Sequence, residues 1–171
     1  MAIYALGDHV PEIDPTAFVH PDATVIGRVR IGAEATIWPQ VVLRGDYGSI
    51  DVGARTSIQD GTVVHATEQH STVIGADCVV GHLAHLEGCV IEDHSLVGSG
   101  SLVLHRCVVH SHALVGANAV VPNGTDVPSG AMALGVPATI KPDAVRGSFD
   151  GIVAGYVANG RYYKETMRRL D

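Results

Sequence analysis

Aromatic residues are scarce in this chain, at 5%, and large rings therefore cannot supply most of a packed core. Cysteine is nearly absent too. Cys78, Cys89 and Cys107 form no C-x-x-C pair, which excludes a disulfide framework and a cysteine-based zinc site, and they read as small packing residues. Basic residues are outnumbered 11 to 18 by acidic ones, and no basic run exists to release counterions from phosphate. Nucleic acid is excluded as a partner. No apolar stretch approaches the roughly 20 residues that span a bilayer, and no basic segment followed by an apolar run opens the chain, so a cytoplasmic protein with no membrane partner is expected.

What the sequence has in quantity is glycine, valine and isoleucine set in a period. Aliphatic residues recur six apart at Val19, Val25, Ile31, Ile37 and Leu43. They continue as Val52, Ile58 and Val64, then Ile74, Val80 and Leu86, then Ile91, Val97, Val103, Val109, Val115 and Val121. Six is a multiple of two, so each hexad can be a short strand with its aliphatic residue inward and a corner before the next. Three hexads close one triangular coil, and coils stack about 4.8 Å apart. Gly27, Gly32, Gly53, Gly75, Gly81, Gly98 and Gly116 tend to follow the aliphatic position, where unusual dihedrals or close backbone approach are expected. A helical reading fails, since β-branched residues dominate and no 3.6-residue stripe is sustained.

The expected fold is an all-β solenoid, with coils over residues 17–140 and one domain over 1–171. Three interruptions are expected: Gly45–Ile50, a loop from Ala66 to Thr72, and a shortened step from Leu86 to Ile91. Beyond a Pro/Gly-rich stretch, Ile152, Tyr156, Tyr163, Met167 and Leu170 stand at helical spacing, so a helix over about 150–170 is expected to pack back on the coils.

Ten histidines can be sorted by coil arithmetic. Val64 and Leu86 fall on one face in successive coils, so His65 and Glu87 project outward side by side, close enough to share a metal. His82 follows Val80 by two residues and points from the neighbouring face. A threefold trimer would bring it to His65 and Glu87 of another subunit. His94 and His112 stack without convergent ligands, and His9, His20, His105 and His110 are expected to lie in no constellation.

The segments Leu43-Arg44-Gly45-Asp46, Ile58-Gln59-Asp60-Gly61-Thr62-Val63-Val64-His65, and Val80-Gly81-His82 through Leu86-Glu87-Gly88-Cys89 resemble the motifs of the γ-class carbonic anhydrases. The resemblance to hexapeptide-repeat proteins covers most of residues 17 to 140. It implies the left hand of the β-helix, which chain physics does not, since parallel crossovers are ordinarily right-handed. It further implies a homotrimer with sites between subunits, metal ligands at His65 and His82, Gln59 on the metal-bound solvent, and Arg44 with Asp46 supporting the interface.

The implied activity is reversible hydration of CO2 to bicarbonate by metal-bound hydroxide on Zn2+, with Fe2+ and Co2+ as alternatives. Glu87 stands where the family pattern has a third histidine, with His85 two residues before it, and Tyr47 stands where the archetype has a proton-shuttling carboxylate. Two imidazoles and one carboxylate leave a divalent site at net +1 rather than +2, so bound water is expected to be less acidic and hydration slower. Two other classes compete: a catalytically silent metal-binding or structural trimer, and a CoA-dependent acyltransferase or thioesterase with His70 as general base.

Overall fold

The computed structural model describes residues 2–171. Its coils run as a left-handed parallel β-helix of about seven turns with one C-terminal helix. The aliphatic period is its inner lining: Val25, Ile37, Leu43, Ile58, Val64, Val80, Leu86, Ile91, Val97 and Val103 are fully buried in one continuous core.

Three flat faces follow from three hexads per coil. The first face is an eight-stranded sheet, built upward from Phe18–Val19, Thr36–Ile37, Ser57–Ile58 and Val79–Val80. An antiparallel strand, Thr139–Lys141, closes it. The second and third faces are one twelve-stranded sheet, because Thr24–Ile31 and Val42–Val52 run unbroken around the corner between them. Short strands at Ala2–Tyr4 and Glu12–Ile13 pair with Thr24–Ile31, so coil structure starts earlier than residue 17.

The expected interruption at Gly45–Ile50 is a bulge within the continuous strand Val42–Val52, where residues 46–49 stand opposite Arg28 alone. The register shifts between Gly27 and Val29 and then resumes at Val29 and Ile50. Glycine makes this possible, since a Cβ on Gly45 would stand 2.5 Å from the Arg28 carbonyl oxygen. Close approach also explains most glycines of the period. Gly53 has no left-handed φ, but a Cβ there would lie 2.4 Å from the Gly75 carbonyl carbon of the next coil.

The helix, Asp150–Thr166, lies on the first face and buries Val153, Val157 and Gly160 against it. This corrects the expected stripe: Ile152, Tyr163, Met167 and Leu170 are exposed, and Met167 and Leu170 lie beyond the helix. The contact face is turned because Gly160 belongs to it, within 2.5 Å of Thr36 Cγ2 for an added Cβ. Trp38 anchors the seam. Its indole N–H donates to Ser57 Oγ at 3.0 Å and Thr36 Oγ1 at 3.1 Å, and its ring meets those of Phe18, Tyr156 and Tyr163. The helix covers the lower strands of the first face, and the outward side chains of the other two faces remain available for a site. Among the described residues, no helix is long and apolar enough to cross a membrane.

Candidate metal and anhydrase site

On the second face, successive strands place Arg44 opposite His65 and His65 opposite Glu87, with the inward Leu43, Val64 and Leu86 fixing the parity. The outward side chains form a chain of polar contacts. Arg44 pairs with Asp46, whose Oδ1 lies 2.9 Å from His65 Nε2, and His65 Nδ1 lies 2.8 Å from Glu87 Oε1. Both ring nitrogens of His65 therefore face carboxylates. His85, two residues before Glu87 on the same side, has its Nε2 3.3 Å from Glu87 Oε2.

His105 completes the group from the following coil, its Nε2 3.6 Å from Glu87 Oε1. This corrects the expectation that His105 lies in no constellation. Coil arithmetic missed it because the short step after Leu86 sets His105 beside Gly88, not Glu87. Gly88 at φ +60° lets it lean across, since a Cβ there would come within 2.9 Å of His105 Cδ2 and of His70 Cβ.

Burial alone would raise the two central carboxyls. Hydrogen bonds from His65 and Arg44 outweigh it at Asp46, and the imidazoles of His65, His85 and His105 outweigh it at Glu87, so both titrate below their usual range. The loop beneath is closed by its own bonds: Thr67 N–H donates to the His70 carbonyl at 3.0 Å, and His70 N–H donates to Thr67 Oγ1 at 3.1 Å.

His82 and Gln59 lie at the corner of the first face, away from this group. His82 Nδ1 is 2.9 Å from Asp60 Oδ2, and its ring is half-exposed. Gln59 is buried one coil below, its N–H donating to the Val80 carbonyl at 2.9 Å. The chain thus gathers Arg44, Asp46, His65 and Glu87 and leaves His82 and Gln59 apart. Among the described residues no three His, Cys, Asp or Glu side chains of one chain form a ready-made metal group.

The family model "Bacterial transferase hexapeptide (six repeats)" matches residues 71–105 and 88–123. The carnitine operon protein CaiE of Shigella flexneri serotype 5b is 37% identical over 169 residues, 99% of this chain and 84% of that protein. Gamma carbonic anhydrase 1, mitochondrial, of Arabidopsis thaliana is 42% identical over 137 residues, 77% of this chain.

The chain belongs to the γ-carbonic-anhydrase-like family of hexapeptide-repeat proteins. Its match spans about half the length, 50%, of the Arabidopsis relative. Among solved structures, a hexapeptide transferase family protein from Anaplasma phagocytophilum superposes with a TM-score of 0.90 at 34% identity, covering 95% of this chain and 98% of that one. The fold of this chain is thus shared with the Anaplasma protein over nearly its whole length.

The remaining histidines divide. His94 and His112 stack at 5.1 Å with rings 6° from parallel, at two left-handed corner positions. His110, also expected to stand alone, sits between Asp126 at 2.8 Å and Glu92 at 3.2 Å. The hydrogen bond to Asp126 chiefly raises its pKa, with Glu92 adding to it.

Proposed function

We propose that the protein is a metal-dependent carbonic anhydrase of the γ class, a homotrimer that reversibly hydrates CO2. Its metal ion, Zn2+ with Fe2+ or Co2+ as alternatives, would be held between subunits by His65 and Glu87 of one chain and His82 of the next. The observation that carries the reading is the outward column Arg44, His65, Glu87, in register on one face, with His82 presented from the adjoining corner.

The residues fit such an ion. Imidazole and carboxylate donors suit a divalent transition metal, and His82 is oriented by Asp60 through Nδ1 as ligating histidines are by carboxylates. When bound, the ion supplies a Lewis acid that makes water nucleophilic near neutral pH. Arg44 and Asp46 brace His65 from below, His85 steadies Glu87 from the side, and Gln59 stands beside the His82 corner to orient solvent. Assembly also explains the apolar rim of the column: Val63, Leu102, Tyr47 and above all Leu83, 71% exposed at φ +58°, are costly on a free surface and natural at a subunit contact.

Elemental analysis of anaerobically purified protein, with stopped-flow CO2 hydration on the same sample, tests the reading. Near-stoichiometric metal with hydration that falls in Glu87→Gln is expected. Metal without hydration would favour the silent module, and absence of metal would remove the site. The transferase reading, favoured by the Anaplasma structure and by His70 beside His105, predicts instead a CoA-dependent activity lost in His70→Ala and kept in Glu87→Gln.

A further inference from the structure

Resting on the metal-site reading above, we propose that His105 is a further metal ligand, its Nε2 and the Glu87 carboxylate gripping the same divalent ion that His82 of a neighbouring subunit completes. The chain so restores from the next coil the imidazole that position 87 does not provide.

The first ground is distance. His105 Nε2 stands 3.6 Å from Glu87 Oε1, beyond hydrogen-bond range. Two donors bound to one ion at about 2.0–2.1 Å in near-tetrahedral geometry are separated by about 3.4 Å, so the gap suits a shared ion. By contrast, the 2.8 Å between His65 and Glu87 is an ordinary hydrogen bond.

The second ground is the state of His105 Nε2, a buried atom with no hydrogen-bond partner. Buried polar atoms are nearly always paired, and an orphan aimed at a carboxylate calls for something between them. Gly88 is the third ground. Any other residue there would push the His105 ring away, and its left-handed φ is one that glycine adopts without strain.

The neighbours have other tasks. His65 is held at both ring nitrogens, at 2.8 and 2.9 Å, and must release one carboxylate to ligate, whereas His105 need release nothing. His85, on the opposite carboxylate oxygen at 3.3 Å, orients Glu87 rather than reaching the ion.

The test uses the intact oligomer, stripped of metal and reloaded with Co2+, with X-ray absorption to count imidazoles on the ion and titration to give affinity. His105→Gln is expected to show one imidazole fewer and Co2+ binding weaker by about tenfold or more, while His85→Gln keeps the imidazole count. Unchanged count and affinity in His105→Gln would overturn the inference, and so would weaker binding with the count unchanged, which would make His105 a positioning residue. Loss of metal in His82→Gln and His65→Gln but not in His105→Gln would leave the metal-site reading standing and remove this one. A wild-type oligomer that takes up no Co2+ would remove both. His105→Asn, measured beside circular dichroism, serves if the glutamine variant fails to fold.

Discussion

In the metal site proposed above Glu87 is the one charged ligand, so its replacement has a directional consequence. Replacing it by histidine raises a divalent site from net +1 to +2 and should make bound water more acidic. Glu87→His is therefore expected to raise CO2 hydration at neutral pH severalfold, measured by stopped flow, and an unchanged rate would place Glu87 away from the ion. His110 makes a separate residue-scale prediction. Its pKa is raised in the folded chain, so its stabilisation is complete below the ordinary imidazole value of about 6.5 and is lost as pH rises through the higher folded value. Glu92, lowered chiefly by the Ser111 N–H, contributes above about pH 4.3 and loses its share as pH falls through its folded value. Wild type should therefore exceed His110→Gln in Tm at about pH 6 and match it near pH 9. The difference should be only about a degree or two, because these groups are over a third exposed and screened.

At the scale of elements, the helix offers a paired test of glycine. Gly160 meets the first face, and Gly160→Ala is expected to cost about 1–3 kcal/mol by overpacking against Thr36. Gly155 has nothing within 4 Å of an added Cβ, so Gly155→Ala should stabilise by about 0.5–1 kcal/mol. Urea titration of the two variants should move the midpoint in opposite directions. The same pair shows what sequence reading could and could not see. The strands were legible because their inward residue is Val, Ile or Leu at nearly every coil, and the His65–Glu87 register followed from parity once the Ala66–Thr72 loop is taken to replace part of a turn. The helix face was not, because a glycine that packs closely looks apolar to no scale. His105 was hidden for a similar reason: its approach to Glu87 depends on the side chain that Gly88 lacks.

For the whole molecule, one core runs the length of the coils, and the three cysteines are buried in it. Burial pushes the Cys78 and Cys89 thiols up to about 12, so they are both shielded and unreactive. Alkylation of native protein should leave all three unlabelled, and labelling should appear together with loss of the β-sheet circular dichroism signal in denaturant. Labelling of one cysteine well before the others would show that the stack opens from an end rather than as a unit. Truncation inside it should be felt generally: Leu86→Ala, at a fully buried position beneath Glu87, is expected to cost about 2–5 kcal/mol, read as a lower urea midpoint.

The outward columns that carry His65, Glu87 and His105 run up a face of the stack, with strands of successive coils paired in parallel register. A functional group's address on this scaffold is a face and a height, and chain position matters only through them. A donor lost on one storey can then be replaced by a single substitution on the storey above, with no loop rebuilt and no strand moved. On the proposal above, His105 stands in that relation to Glu87.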